Sequence, residues 1–235
     1  MNNFKFKFQK FADTGQLLTD LSKEIRLQSS LALKRKNKLN FLVTGGSMIQ
    51  EIMVSILSLD QVEKVPPFGI NIWLTDERVL PKNSLNRNDT KLSSALLTLQ
   101  QAKHLVVKNW QAYSPNGMNS SCKLYDQDLN SSLGRLKFDA TILTIGSDGH
   151  LAGLWPQHFI SSQGSIESFS HSIGSPPFQD RVTLSLKRIS HSKKIFLYLI
   201  GDDKISLFFD LLPKYKELNF LNSNNVYIMM VSGKK

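Results

Sequence analysis

The sequence predicts an α/β fold: one mainly parallel, doubly wound sheet with helices on both faces. Two observations predict it. Short apolar runs of strand length alternate along the chain with segments whose apolar residues recur at helical spacing, the pattern that builds parallel sheets covered by helices. The runs also stop abruptly in glycine or charged residues, as at Thr44-Gly45-Gly46-Ser47, Thr75-Asp76-Glu77-Arg78 and Gly146-Ser147-Asp148-Gly149-His150. The carboxyl ends of strands are where open α/β sheets bind their ligands.

The elements follow in order. Phe4 to Phe8 alternates apolar and basic residues, as a short strand near a sheet edge does. Asp13 and Thr14 cap a helix carrying Leu17, Leu18, Leu21, Ile25 and Leu31 to Leu33. Leu39 to Val43 is a strand that ends at the Thr44–Ser47 turn, and Ile49, Ile52, Met53, Ile56 and Leu57 share the next helical face. After Pro66-Pro67, Gly69 to Leu74 is a strand, and a polar loop from Pro81 to Asp89 leads to a helix through Leu92, Leu96 and Leu99. His104 to Trp110 reads as a strand, Tyr113 to Ser121 as turns, and Leu124, Leu129 and Leu133 as a helix. The apolar run from Phe138 ends at Gly146, and a Ser- and Gly-rich connection spans Ser161 to Pro177. Strands at Val182 to Leu186, Ile195 to Ile200 and Asn225 to Val231 complete the sheet, with a helix through Leu207, Phe208 and Leu211.

Bulk properties narrow the class. The chain has 235 residues, 41% hydrophobic and 20% charged, enough apolar material for a substantial core. No repeat, low-complexity tract or linker divides it, so residues 1–235 are expected to form a single domain. The lone cysteine, Cys122, excludes an intramolecular disulfide and a cysteine-based metal cluster. No segment has the ~18 to 20 consecutive apolar residues of a membrane span, and Met1 to Lys10 lacks a signal-peptide core. A cytoplasmic protein, monomeric or a small homo-oligomer, is the expectation. The net charge of +10 is spread along the chain apart from Lys34-Arg35-Lys36 and Lys38, and no nucleic-acid-binding signature accompanies it. Dispersed positive charge equally suits an anionic small substrate.

Four groups of residues carry potential chemistry. Asp148-Gly149-His150 follows a buried strand, where a histidine can act as a general base and the aspartate can orient it. An ordinary Asp-Gly turn with an exposed histidine has the same sequence. Gly45, Gly46 and Ser47 form a phosphate cradle at a helix N-terminus, or else a tight turn with Ser47 as N-cap. Asp76-Glu77-Arg78 puts an anion-gripping arginine at a strand end, unless the three charges form a surface ion-pair cluster. Arg181 and Lys204 are candidates for phosphate contact and, taken singly, ordinary surface charges. The remaining histidines show no metal-ligand spacing, and neither a P-loop nor a G-x-G-x-x-G fingerprint is present. No metal and no cofactor is expected.

Taken together and in order, these motifs closely resemble the 6-phosphogluconolactonase family, which shares the sugar-phosphate isomerase and deaminase type of fold. The family's S-G-G-S is matched by Thr44-Gly45-Gly46-Ser47, and its D-E-R-x-V-P by Asp76-Glu77-Arg78-Val79-Leu80-Pro81. Its D-S-x-D-S-N is similar to Asn83-Ser84-Leu85-Asn86-Arg87-Asn88. Its G-x-D-G-H-x-A-S-L-F-P is met by Gly146 to Pro156, and its R-x-T and G-x-x-K by Arg181-Val182-Thr183 and Gly201-Asp202-Asp203-Lys204. The chain departs from the family at Met48-Ile49 after the glycine turn, at Arg87 beside Asn88, and at Gly153 and Trp155, where the family has Ser and Phe. The family's C-terminal segment is not recognisable in Tyr227 to Lys235.

The resemblance implies metal-free hydrolysis of a phosphosugar lactone, 6-phosphogluconolactone, with His150 as base and Asp148 supporting it. It implies that Gly45, Gly46, Ser47, Asp76, Arg78, Asn88, Arg181 and Lys204 bind the phosphate or polarise the carbonyl. Two alternatives stand beside it: an amino-sugar-phosphate deaminase/isomerase, and a non-catalytic phosphosugar-binding paralogue. The deaminase relatives carry F-N-E-P after their D-G-H, whereas Gly153-Leu154-Trp155-Pro156 has no acidic residue.

Overall fold

Residues 7–34, 38–58, 69–97, 105–108, 118–134, 136–159, 169–173 and 180–233 are described by a computed structural model. Strands β1 (Lys7–Phe11), β2 (Leu39–Val43), β3 (Ile70–Leu74), β4 (Asp76–Arg78) and β5 (Leu105–Val107) come first along the chain. They are followed by β6 (Ala140–Leu143), β7 (Phe169–Ile173), β8 (Asp180–Leu184), β9 (Ile195–Ile200) and β10 (Val226–Val231). Helices α1 (Thr14–Lys34), α2 (Ser47–Ser58) and α3 (Asn88–Ala95) connect the early strands. Helices Met118–Ser132, Leu186–Ser190 and Asp202–Leu211 lie further along.

Seven strands form one sheet in the order β1-β10-β9-β6-β2-β3-β5, each pair parallel. Strands β2, β3 and β6 are buried along their whole length, which is why they read as runs rather than alternations. Their side chains belong to one continuous core with Leu17, Leu21, Ile52, Tyr125 and Phe208 from the helices.

The strand order contains a reversal. From β2 the chain steps outward to β3 and β5, then returns to β6 on the other side of β2 and steps outward again to β9 and β10. Because such crossovers are right-handed, α1, α2 and α3 cover one face, while helices Met118–Ser132 and Asp202–Leu211 cover the other. The contacts agree: α1 packs on α2 and α2 on α3, and Tyr125 meets Trp73 edge-on at 5.6 Å. The switch point lies between β2 and β6, in register with Val43 opposite Ile142. A ligand crevice is expected at the carboxyl ends of those two strands.

A second sheet, antiparallel and three-stranded, runs β4-β8-β7. It places Arg78 opposite Arg181 and Asp76 opposite Thr183, and the Leu184 N–H donates to the Thr75 carbonyl at 2.8 Å. Here expectation and structure differ. Asp76–Arg78 is a strand of its own, β8 begins two residues before the expected Val182, and β7 lies within the stretch expected to be a plain connection. Within the described residues the edge strand is Lys7–Phe11, continuing past the expected end at Phe8; Phe4 to Phe6 lie outside the described residues. The Pro66-Pro67 break, most of the Lys34–Lys38 loop and parts of the expected elements near residues 99–121 lie outside the described residues. No helix among the described residues is long and apolar enough to cross a membrane.

Candidate active site

The strand end after β6 folds back on itself. Gly146 donates its N–H to the His150 carbonyl at 2.8 Å, and Gly149 donates to the Gly146 carbonyl at 3.1 Å. A side chain at Gly146 would collide with the His150 ring and the Asp148 carboxylate, so the close approach requires glycine. Just beyond, Ala152 has φ = 56° and is buried. A left-handed alanine is uncommon and strained, and such strain clusters at functional sites.

Within this turn the His150 Nδ1 lies 2.5 Å from Asp148 Oδ1. An ionised carboxylate only accepts, so Nδ1 carries a proton, and in the neutral ring Nε2 then holds the lone pair. Asp148 also accepts the Trp155 indole N–H at Oδ2, 2.8 Å away. Burial alone would raise the Asp148 carboxyl. The neighbouring His150 charge, the His150 hydrogen bonds and the Trp155 bond outweigh burial and hold it below its ordinary value.

Across the crevice stand the strand ends of β2 and β3. Gly45 lies so close to Asn88 that an added Cβ would strike its amide. Asn88 donates to the Asp76 carbonyl at 3.2 Å, which turns its Oδ1 away, buried and with no hydrogen-bond partner among the described residues. Asp76 is itself buried. It accepts from Thr75 Oγ1 and from Arg181, each at 2.9 Å. Arg181 lies over the Trp155 ring at 5.5 Å, and its Nε is buried with no partner among the described residues. Arg78 donates to the Asn86 carbonyl at 2.6 Å. Burial and then the nearby Arg181 charge lower the Arg78 guanidinium below its ordinary value, with Asp76 and Glu77 opposing. Two guanidiniums thus share one crevice, an arrangement that favours an anion between them.

Glu77 and Arg87 hold this wall from behind. Glu77 is wholly buried. Its Oε1 accepts the N–H groups of Arg78 and Asn88, and its Oε2 that of Asp89, all at 2.8 Å. Arg87, 1% exposed, forks onto Asp89 at 2.9 and 2.6 Å and donates to the Leu80 carbonyl at 3.1 Å. Desolvation and then the Asp89 charge raise the Glu77 carboxyl to about 7, against the pull of Arg87 and the backbone N–H groups.

One cavity of about 210 Å³ gathers most of the expected residues: Gly45, Gly46, Asp76, Arg78, Asn88, His150, Arg181 and Lys204 all line it. Asp148 does not; it is bonded to His150 Nδ1, where it can orient the ring. Ser47 opens α2, and its side chain lies outside the described residues. Thr44, Gly146 and Ala152, which belong to the recognised motifs, line the cavity too, with Thr144 and Ile145, which carried no site signal. Glu77 was visible only as part of the Asp-Glu-Arg run. Trp155 and Arg87 were visible only as departures from a pattern.

A larger cavity, about 360 Å³, opens at the opposite, amino edge of the sheet among Lys38, Asn40, Asn71, Lys137, Asp139 and Lys193. No histidine is among its described lining residues, and its Asp139 is engaged by Lys193 at 2.6 Å and the Asn40 N–H at 2.9 Å. The cavity of about 210 Å³ at the carboxyl edge has the base, the arginines and the switch point.

Residues 12–218 match the family model described as "Glucosamine-6-phosphate isomerases/6-phosphogluconolactonase". A 6-phosphogluconolactonase of Borreliella burgdorferi is 27% identical over 157 residues, 66% of this chain and 63% of that protein. The human GDH/6PGL endoplasmic bifunctional protein is 23% identical over 195 residues, 79% of this chain and 24% of that protein. The match thus spans less than two thirds of either relative's length. The crystal structure of a 6-phosphogluconolactonase from Thermotoga maritima superposes with a TM-score of 0.78 at 19% identity, covering 97% of this chain and 100% of that one. At that identity the likeness is one of fold.

Proposed function

The chain belongs to the glucosamine-6-phosphate isomerase/6-phosphogluconolactonase family, and from that premise we propose that it hydrolyses 6-phospho-D-glucono-1,5-lactone to 6-phospho-D-gluconate. This reaction is the second step of the oxidative pentose phosphate pathway. The observation that carries the reading is the pairing of His150 with Asp148 at the edge of a cavity that also holds Arg78, Arg181 and Lys204.

A δ-lactone is an activated ester, so catalysis needs a positioned water, a base and stabilisation of the oxyanion. His150 Nε2 takes a proton from water as the water oxygen bonds to C1. The C1 carbonyl becomes a tetrahedral oxyanion, which collapses with cleavage of the bond to the ring oxygen. The imidazolium returns its proton to that oxygen, leaving an open-chain acid that ionises. Asp148 holds the tautomer and the transient cation. Arg78, Arg181, Lys204 and the Gly45–Gly46 backbone supply donors for the phosphate and the oxyanion, and Asn88 Oδ1 accepts from a sugar hydroxyl.

The deaminase/isomerase alternative requires an acidic group for proton transfer at the sugar. Asp76 is the carboxylate among the described lining residues, and both its oxygens are engaged by Thr75 and Arg181. We further propose that the chain acts as a single cytoplasmic domain, as a monomer or a small homo-oligomer. The family match over residues 12–218 supports the single domain.

The test supplies fresh lactone at a pH where spontaneous opening is slow and follows 6-phosphogluconate through a coupled dehydrogenase, with glucosamine 6-phosphate run in parallel for ammonia release. Lactone turnover above background without ammonia is expected. Ammonia release, or product binding without turnover, would overturn the reading.

A further inference from the structure

We infer that Trp155 is a positioning residue: its indole N–H fixes the Asp148 carboxylate, and through it the base His150. The inference rests on the lactonase reading for its catalytic consequence, but not for its geometry.

Asp148 sits on a turn and its side chain is 41% exposed. Packing alone does little to hold a carboxylate there. Its two oxygens instead meet different donors: Oδ1 lies 2.5 Å from His150 Nδ1, and Oδ2 accepts Trp155 Nε1 at 2.8 Å. An indole nitrogen only donates, so this bond has one sense and sets the rotation of the carboxylate. The other oxygen then faces Nδ1, and Nε2 is left as the basic nitrogen.

Trp155 is rigid enough for the task. It is buried, and its ring lies 5.3 Å from the His150 ring on one side. The Arg181 guanidinium lies over it at 5.5 Å, and Arg181 is tied to Asp76 at 2.9 Å. Two side-chain torsions, both restrained by these contacts, deliver one donor to one oxygen. Trp155 therefore also connects the base to the cationic wall of the cavity.

Losing the donor has a predictable sign. The carboxylate would carry its full charge toward His150 and would itself protonate more readily. Both effects move the acid limb of the rate profile to higher pH. The charged groups around it are His150 on the same turn, Asp76 and Arg78 on β4, Arg181 on β8 and Lys204 on the helix after β9. Asp202 and Asp203 share an adjoining cavity with Ser147. Trp155→Phe substitutes none of these groups and keeps a ring beneath Arg181.

The experiment compares wild type with Trp155→Phe, which keeps a ring and removes the N–H. The expected result is a kcat lower by about tenfold, a KM within about twofold, and an acid limb displaced to higher pH. An unchanged kcat and acid limb would overturn the inference. Independently, the indole N–H resonance of Trp155 in the wild-type protein, distinguished from those of Trp73 and Trp110, is followed through acid titration. It is expected to move with a midpoint below the usual carboxylate range; a resonance indifferent to pH would overturn the inference whether or not the variant folds. If wild type does not open the lactone, the functional reading fails and the indole titration alone decides the role of Trp155.

Discussion

The Glu77 carboxylate accepts the backbone N–H of Asn88 at 2.8 Å from a fully buried position. With the Arg78 and Asp89 N–H groups on the same side chain, it ties β4 to the first turn of α3. Burial and then the Asp89 charge raise its carboxyl from 4.5 to about 7, so the folded protein binds this proton more tightly than the unfolded chain. The associated stability is complete below pH about 4.5 and declines as pH rises to about 7. Urea unfolding of wild type and Glu77→Gln across this window should therefore show the wild-type advantage shrinking with pH. A constant difference would refute the coupling.

Gly45 presents its bare Cα to Asn88, and a Cβ there would meet the amide. Gly45→Ala should displace Asn88 from the cavity wall. Shifts of about 1 Å in positioning groups cost on the order of 10²-fold, so kcat/KM should fall by about that factor. The melting temperature should fall only modestly, because the overpacking is local, at about 1–3 kcal/mol.

Arg87 stands where the related motif has a small serine, yet it is buried between Asp89 and Glu77. Arg87→Ser should destabilise the fold by about 3–5 kcal/mol, since it strands buried carboxylates. The double variant Arg87→Ser/Asp89→Asn should recover a large part of that loss, measured by denaturant unfolding. No recovery would show that the arginine acts through packing alone.

Arg181 is largely buried against Asp76. Arg181→Met should cost about 3 kcal/mol of stability and raise KM for the lactone. Arg181→Lys keeps the charge but not the fork or the stacking on Trp155, and should recover stability only in part. Equal behaviour of the two variants would reduce the role of Arg181 to charge.

Much of this architecture was legible because strands buried on both faces leave uninterrupted apolar runs. Leu39–Val43, Ile195–Ile200 and Val226–Val231 appear almost as expected. The edge strand runs on to Phe11, past the expected end at Phe8, where the exposed pattern gives burial no hold on its bounds. Strand β4 is three charged residues. Its identity comes from pairing with β8 about a hundred positions away, which no local pattern reports. Likewise, Asp148 and His150 could be recognised side by side. The bond from Trp155 to Asp148 depends on a turn through the left-handed Ala152, and sequence showed only that a tryptophan stood where a phenylalanine was expected.

The central claim is that His150 is the base in this cavity. Its most direct test is lactone turnover by His150→Ala beside wild type, with binding of 6-phosphogluconate measured on both. The expected result is a kcat lower by about 10²- to 10⁴-fold, with product binding retained within a few fold. Near-wild-type turnover by His150→Ala, above spontaneous hydrolysis, would contradict it.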